Sequence, residues 1–190
     1  IPLLIEERKK SFNIYFKMMM KIALKADHLI CVSESTKKDL IKHFNVPRNK
    51  ISVIYEGVNP REFFPTKKKI GKRRVLGYIG GLGKRKNIEF ILNLAKEMPN
   101  VEFKIAGKGP DKKRLEKIRD ELNLKNVEFK GFISGKKLND FYNSLDIFIF
   151  PSFYEGFGLP IVEAMASGIP CIVSDRGSLP EILGTGGLVI

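Results

Sequence analysis

The stretch DIFIFPSFYEGFGLPIVEAMASGIPCIVSD, residues 146–175, decides the fold class. It begins with a short apolar run typical of a strand and continues through a loop that contains Gly156 and Gly158. A helix can open at Pro160 and close at Gly168, because proline fits the first helical turn and glycine often follows the last. A second apolar run then ends the stretch, which therefore predicts a strand, a loop, a helix and a further strand.

The same alternation extends back to Val75. Strand-like runs such as VLGYI, VEFKIA and VEFKGF are separated by segments with helical periodicity. These runs are almost continuously apolar, as expected for a parallel sheet that is covered by helices on both faces. We predict an α/β, doubly wound parallel sheet, Rossmann-like, over residues 73–190. The loops that follow its strands at Ile79, Ala106, Phe150 and Val173 should line one crevice.

Residues 1–56 have a different pattern and are interpreted as the remnant of another domain. The predicted elements are a helix over about 6–26, a strand over 28–32, a helix over 34–44 with Ser33 or Ser35 as its cap, and a strand over 51–55. Residues 57–72 are rich in turn formers and lysine, and are predicted to be a hinge or linker. Both ends of the chain resemble internal sequence, so the 73–190 domain is expected to be truncated at its C-terminus.

The first helix is apolar around much of its circumference, with Phe12, Tyr15, Phe16, Met19 and Ile22 at helical spacing. Such a helix requires burial. We expect it to pack against a partner domain outside the chain, with insertion into a membrane interface as the alternative.

Composition and charge exclude several classes. The chain has 190 residues and a formal net charge of +13, but no apolar run approaches the ~20 residues that a membrane span needs. A lysine-rich solvated surface explains most of the charge; the basic residues at 67–69 and 72–74 favour peripheral contact with an anionic membrane as the alternative. Nucleic acid is not an expected partner. Cys31 and Cys171 lie in apolar runs and are expected to be reduced, which indicates a cytoplasmic protein.

Two carboxylates flank the glycine-containing bend. Glu155 precedes Gly156 and Gly158, and Glu163 follows one turn into the helix. Glycines let the backbone approach a ligand closely, and a helix N-terminus favours an anion such as a diphosphate. The carboxylates can accept hydrogen bonds from sugar hydroxyls, although Glu163 alone would be read as a solvated helix residue.

A second loop, Gly80–Asn87, combines two adjacent glycines with the cations Lys84, Arg85 and Lys86. Fixed cations can stabilise the charge of a departing diphosphate. The loop lacks the GxxxxGK[ST] pattern, so phosphoryl transfer from ATP is disfavoured. Asn87 can cap the following helix. Gly107 and Gly109 form a GxG after a strand, for which a plain tight turn is an equal alternative.

The segment Glu155–Glu163, EGFGLPIVE, matches the E-G-F-G-x-P-x-x-E mark of a known family. The chain resembles the retaining GT-B-fold glycosyltransferases (glycosyl transferases group 1), which include glycogen synthases and many mannosyltransferases. The stretches ADHLICVSESTKKDLIKHF, KISVIYEGVNPREFFP, GGLGKRKN and DIFIFPSFYEGFG are similar to that family in order and spacing. This resemblance places residues 73–190 as the nucleotide-sugar-binding domain.

The resemblance also implies roles for particular residues. Glu155 would contact the donor sugar near its anomeric carbon, and Lys86 and Arg85 would bind the diphosphate. Glu163 would hold the ribose. The remaining donor-binding positions are expected on backbone loops, at Gly80, Gly81, Gly107, Gly109, Phe132, Gly156, Phe157, Gly158 and Leu159.

The expected reaction is transfer of a hexose, such as mannose or glucose, from a UDP-, GDP- or ADP-linked donor to a glycan, lipid or small acceptor. No cofactor or metal is expected, since His28 and His43 have no metal-ligand spacing and GT-B enzymes as a group need none. The chain alone is expected to be inactive. The alternative is a non-catalytic nucleotide-binding or basic surface-binding module.

Overall fold

The computed structural model describes residues 10–66, 71 and 73–190. They fall into two compact units, of which the first ends at Glu56 and the second begins at Gly57. Within the part of the chain that is described, no helix combines the length and the apolar character that crossing a membrane requires.

The first unit contains two helices and two short strands. The elements are α1 (Lys10–Ala23), β1 (Leu29–Cys31), α2 (Glu34–Phe44) and β2 (Ile51–Val53). The two strands are parallel, with Leu29 opposite Ile51. Ser33 caps α2, because its Oγ accepts a hydrogen bond from the Thr36 N–H at 3.0 Å. Of the two predicted caps, this confirms Ser33.

Helix α1 presents apolar side chains to solvent within this chain. Tyr15, Met18, Met19 and Ile22 are exposed, whereas Met20 packs on the small core of the first unit. The predicted start of this helix near residue 6 lies outside the described residues. The packing of this helix against a partner domain stays a prediction.

The second unit is a parallel sheet flanked by helices. Its elements in chain order are β3 (Val75–Ile79), α3 (Ile88–Glu97), β4 (Glu102–Ala106), α4 (Lys112–Glu121), β5 (Val127–Gly131), α5 (Lys136–Asn143), β6 (Ile147–Phe150), α6 (Leu159–Ala166), β7 (Cys171–Val173), α7 (Leu179–Leu183) and β8 (Gly187–Val189). The strands are ordered β5-β4-β3-β6-β7-β8, and every pair is parallel. Counted within this unit the order is 3-2-1-4-5-6, which is the Rossmann order and confirms the predicted fold class.

A row of aromatic rings forms the centre of the core. Tyr78 stacks on Phe150 with 5.6 Å between ring centroids, and Phe150 stacks on Phe148 at 5.7 Å. Phe148 meets Tyr142 edge-on at 5.5 Å. All four side chains are fully buried. We call these residues the aromatic row; it joins β3, β6 and α5 into one rigid layer.

The segment predicted as a linker differs from that expectation over its described residues. Phe63 is buried and meets the Tyr142 ring edge-on at 6.0 Å. The backbone N–H of Phe64 donates to Asn139 Oδ1 at 3.2 Å. Residues 57–66 thus group with the second unit, because burial of an aromatic side chain outweighs the turn-forming composition around it. The basic residues at 67–69 and 72 lie outside the described part of the chain.

Most other element bounds agree with the sequence prediction to within two residues. Pro160 lies in the first turn of α6, and Gly168 follows its end with φ +76°. Helix α4 begins at Lys112, with Asp111 at its N-cap position. Cys31 and Cys171 are both free and buried, as predicted.

Candidate functional site

The candidate site lies where the strand order reverses. Strands β3 and β6 are neighbours, with Leu76 opposite Ile147, and the chain winds away from them in opposite directions. The loops at their carboxyl ends therefore diverge and leave a crevice, which is where open α/β sheets bind ligands. The two loops are 80–87 after β3 and 151–158 after β6.

Hydrogen bonds fasten these two loops together. The Phe153 N–H donates to the Arg85 carbonyl at 2.9 Å, and the Arg85 guanidinium donates to the Tyr154 carbonyl. Asn87 Nδ2 donates to the Pro151 carbonyl at 3.2 Å. Asn87 occupies the N-cap position of α3, but its side chain makes no capping hydrogen bond. The prediction that Asn87 caps α3 is therefore wrong. The φ angle of Asn87 is +53°, which is left-handed, whereas a capping residue needs an extended backbone.

The three charged residues predicted from the sequence lie together. Arg85 Nη1 is 2.9 Å from Glu155 Oε2, and Lys86 Nζ is 2.5 Å from Glu155 Oε1. The Glu155 side chain is 10% exposed and that of Lys86 is 15% exposed. We call Arg85, Lys86 and Glu155 the ion cluster. Two cations share one carboxylate, so the ion cluster carries a net positive charge at the switch point.

Burial and pairing act in opposite directions on Lys86. Burial lowers the pKa of its ammonium group, and the negative charge of Glu155 together with their hydrogen bond opposes that shift. Lys86 Nζ also lies 5.0 Å above the centre of the Phe150 ring. The ammonium group is therefore held as a fixed cation on the aromatic row.

The loop after β7, predicted to line the crevice, contacts the bend between Glu155 and α6 through residues that the sequence did not single out. Ser178 Oγ lies 2.7 Å from the Phe157 carbonyl and 3.1 Å from the Glu155 carbonyl, and donates to this pair. Gly177 has φ +58°, and a Cβ there would come within 2.7 Å of the Glu155 carbonyl oxygen. Gly158 is the N-cap of α6 with φ +106°. These contacts fix the path of the backbone that presents Glu155.

Glu163 has a different environment. Its Oε2 accepts a hydrogen bond of 2.6 Å from the hydroxyl of Tyr142. Burial raises the pKa of Glu163; the Tyr142 hydrogen bond lowers it, and the charge of Glu62 raises it further. Glu163 is therefore partly buried and hydrogen-bonded, unlike the solvated helix residue that its position alone would suggest.

The glycine positions form a separate part of the crevice. A Cβ on Gly107 would lie 1.8 Å from the Gly80 carbonyl oxygen, and one on Gly109 would lie 2.2 Å from the Leu82 carbonyl oxygen. The GxG is therefore required for close packing of the two loops. A cavity of about 340 Å³ is lined by Gly80, Gly81, Gly107, Lys108, Phe132 and neighbouring isoleucines.

Phe132 lies at this cavity, and 63% of the residue is exposed. Lys108 Nζ is 4.5 Å from the centre of its ring. An exposed aromatic face next to an ammonium group is suited to a planar, electron-rich ligand.

The structure thus gathers Arg85, Lys86 and Glu155 into one cluster, and places Gly80, Gly81, Gly107 and Phe132 around one cavity. Sequence reasoning missed Tyr142 and Ser178, which lie 21 residues from their partners Glu163 and Phe157. No local spacing connects such pairs. Within the described ranges, no group of three or more His, Cys, Asp or Glu side chains could hold a metal ion.

This sheet order, with the ion cluster at the switch point and a glycine-lined cavity over the carboxyl ends of β3, β4 and β5, defines a Rossmann-like α/β domain. The chain belongs to the glycosyl transferases group 1, whose family pattern matches residues 60–189. Residues 3–62 match the pattern described as Glycosyltransferase Family 4. The predicted family is confirmed.

Curated relatives agree with this assignment. An uncharacterized glycosyltransferase of Methanocaldococcus jannaschii is 37% identical over 82% of this chain and 44% of its own length. The O-antigen chain mannosyltransferase RfbU of Salmonella typhimurium is 33% identical over 94% of this chain and 51% of its own length. The chain therefore spans about half the length of these relatives.

Solved structures show the same fold. The sucrose-phosphate synthase of Thermosynechococcus elongatus superimposes with a TM-score of 0.85 and 27% identity, over 97% of this chain and 50% of that chain. Anabaena HepE, in complex with UDP and glucose, gives a TM-score of 0.81 at 21% identity, over 97% of this chain and 54% of that chain. The fold is that of the GT-B glycosyltransferases.

Proposed function

We propose that this chain carries the donor site of a retaining glycosyltransferase. The substrate would be a nucleoside diphosphate hexose, and the acceptor a glycan, a lipid or a small molecule. The observation that carries the proposal is the ion cluster, which sets Arg85, Lys86 and Glu155 beside the glycine bend at the switch point. Such a cluster offers cations to a diphosphate and a carboxylate to a sugar within one crevice.

The ion cluster suits the charge changes of glycosyl transfer. In the reaction the bond between the anomeric carbon and the diphosphate oxygen breaks, the acceptor oxygen bonds to that carbon, and the acceptor proton passes to the departing diphosphate. Negative charge grows on the departing diphosphate, where Lys86 and Arg85 would stabilise it. Positive charge grows at the anomeric carbon, which the Glu155 carboxylate would stabilise. The fixed positions of these groups reduce the reorganisation that the reaction requires.

The nucleoside would occupy the rest of the crevice. Glu163 can accept hydrogen bonds from the ribose hydroxyls, and the cavity beside Phe132 has an aromatic face on which a base can stack. Backbone groups of Phe157, Gly158 and Leu159 would meet the phosphates at the start of α6.

The choice of sugar follows from the relatives. Three of them are described as mannosyltransferases: one from Salmonella typhimurium at 33% identity, one from Escherichia coli at 30% and one from Mycolicibacterium hassiacum at 28%. We therefore propose mannose first and glucose second. The acceptor would bind to the part of the whole protein that the relatives have beyond the length of this chain. Peripheral membrane contact through the basic segment 67–74 belongs to the same proposal.

Lysine substitutions in one turn provide a direct test. Lys84 and Lys86 lie in the same 3-10 turn, but Lys84 is exposed while Lys86 contacts Glu155. The variants Lys84→Ala and Lys86→Ala change the net charge equally. We expect Lys86→Ala to weaken the binding of UDP, GDP or ADP by about 10- to 100-fold, the scale of lost charge-assisted hydrogen bonds. Lys84→Ala should change it less than about threefold.

Isothermal titration calorimetry measures both variants against the wild-type chain. Equal losses in the two variants would mean that only overall charge attracts the nucleotide, and would favour a basic surface-binding module. No binding of any of the three nucleotides by the wild-type chain would refute the donor site. Retention of the anomeric configuration is tested separately on the full-length polypeptide. An α-linked donor is supplied and NMR assigns the anomer of the product; a β-linked product would refute a retaining mechanism.

A further inference from the structure

The hydroxyl of Tyr142 makes a contact that the proposed chemistry does not use. It donates to Glu163 Oε2 at 2.6 Å, from a side chain that is fully buried. The two residues come from different helices, α5 and α6, which pack side by side. A buried tyrosine hydroxyl needs a hydrogen-bond partner. For Tyr142 that partner is the carboxylate of Glu163, at the edge of the candidate site.

The core restricts the movement of the Tyr142 ring. It is enclosed edge-on by Phe63 at 6.0 Å, by Phe141 at 6.0 Å and by Phe148 at 5.5 Å. These rings come from three different parts of the second unit, namely the segment after Gly57, α5 and β6. The position of the hydroxyl oxygen is therefore determined by the core, and the hydrogen bond passes that rigidity on to Glu163.

The protonation states support a lasting contact. Burial, followed by the charge of Glu163, raises the pKa of Tyr142 well above its ordinary value, so the hydroxyl keeps its proton and remains a donor. The same hydrogen bond opposes the effect of burial on the pKa of Glu163. Burial leaves the pKa of Glu163 raised, but the hydrogen bond itself favours the ionised carboxylate and fixes one of its oxygens.

A carboxylate has two oxygens with several acceptor positions. The hydrogen bond from Tyr142 to Oε2 restricts the rotation of the Glu163 side chain. Its remaining acceptor positions then have a fixed direction, as recognition of two adjacent hydroxyl groups requires.

We propose that Tyr142 is a positioning residue that holds Glu163 in the orientation that binds the ribose hydroxyls of the donor nucleotide. This inference rests on the proposed donor site and goes beyond it, because it assigns the discrimination of ribose to a pair of residues from two helices. Tyr142 itself would not touch the ligand. Its effect should appear only where the ligand offers hydroxyl groups to Glu163.

The test compares two ligands on each variant. UDP, GDP and ADP are titrated calorimetrically against the wild-type chain, and the nucleotide that binds is then compared with its 2′,3′-dideoxy counterpart. The dissociation constant of the dideoxy nucleotide divided by that of the ribonucleotide measures ribose recognition. A fraction of unfolded protein weakens both affinities equally, so it cancels from this ratio.

For Tyr142→Phe we expect affinity for the ribonucleotide to fall about three- to tenfold, the scale of a hydrogen bond to a charged group that acts indirectly. Affinity for the dideoxy nucleotide should change by less than about twofold. Glu163→Gln should reduce the ratio at least as far, and the double variant should be no worse than Glu163→Gln alone.

Tyr78→Phe is the matched control. Tyr78 is also fully buried in the aromatic row, but its hydroxyl donates to the Gly81 carbonyl at 2.9 Å instead of to Glu163. Its removal should leave the ratio between ribose and dideoxyribose ligands as in the wild type.

The outcomes separate the two proposals. If the wild-type chain binds no nucleotide, or binds both sugars equally, the donor-site assignment of Glu163 fails. If the wild-type chain and Glu163→Gln behave as expected but Tyr142→Phe keeps the wild-type ratio, the positioning role of Tyr142 is overturned. Equal loss of both ligands in Tyr142→Phe overturns it as well, because a purely structural role has that result.

Discussion

Replacing Glu155 by glutamine should strengthen the binding of a free nucleoside diphosphate while it destabilises the protein. In the ligand-free chain the carboxylate neutralises one of the two cations of the ion cluster, with contacts of 2.5 and 2.9 Å. A diphosphate must compete with that carboxylate for Lys86 and Arg85. Glutamine has nearly the same shape but no charge, so Glu155→Gln removes the competitor and leaves both cations in place.

The magnitude follows from the burial of the ion cluster. Breaking a buried ion pair by removal of one partner costs about 3–5 kcal/mol. Arg85 retains 24% side-chain exposure, and an amide oxygen can still accept a hydrogen bond, so we expect the lower end, about 3 kcal/mol of unfolding free energy. Loss of the competing charge is worth at least about 1 kcal/mol, the value for two charges about 4 Å apart at the dielectric constant of water (~80). We therefore expect the Kd for the nucleotide to be at least about fivefold lower.

Urea denaturation and calorimetry measure the two effects, and pH supplies an internal check. Burial already lowers the pKa of Lys86, and loss of Glu155 removes the group that opposes this. Between that lowered value and the ordinary one, the unfolded chain binds more protons than the folded chain. The stability deficit of Glu155→Gln should therefore shrink as the pH rises through this window. A nucleotide affinity reduced more than about tenfold, with normal stability, would refute the competition argument.

Three further outcomes are expected. Gly107→Ala should destabilise the chain by more than about 2 kcal/mol, measured by urea denaturation, because its Cβ would lie 1.8 Å from the Gly80 carbonyl oxygen. Ser178→Ala should lower the unfolding free energy by about 1 kcal/mol through loss of its hydrogen bonds to the glycine bend. Burial raises the pKa of Glu163, so on acidification its carboxylate takes up a proton at a higher pH than an ordinary glutamate does. Wild-type nucleotide affinity should begin to fall at that higher pH, which calorimetry over a pH series measures.

Each of these outcomes has its own control. Gly57→Ala, where an added Cβ meets nothing within 4 Å, should leave stability within about 0.5 kcal/mol. For Ser178→Ala, a stability equal to that of the wild type would show that the bend does not depend on this side chain. In the pH series, Glu163→Gln removes the titrating group, so a pH profile equal to that of the wild type would contradict the role of its carboxylate.

The alternation of strands and helices was readable because it is a local property. Apolar runs such as those at Val75–Ile79 and Ile147–Phe150 reveal their burial on both faces without any knowledge of their partners. The positions of Pro160 and Gly168 mark the ends of one helix by backbone geometry alone. The loops of the candidate site then follow from the rule that parallel strands end at one edge.

Contacts between distant residues could not be predicted in the same way. Asn87 has the residue type and position of a helix cap, but the loop after β6 supplies a carbonyl group that its side chain bonds instead. Phe63 lies in a segment with the composition of a linker, yet it is buried beside Tyr142. In both cases tertiary packing overrides a local preference, and one sequence contains no signal of the distant partner.

The aromatic row gives the crevice an optical reporter of its own. The chain has no tryptophan and five tyrosines, so tyrosine dominates its near-ultraviolet signal. Two of those tyrosines, Tyr78 and Tyr142, are the end members of this row, and both are immobilised in an asymmetric environment. Near-ultraviolet circular dichroism should therefore respond to changes beneath the crevice without any attached label, and would register a ligand-induced shift of either end.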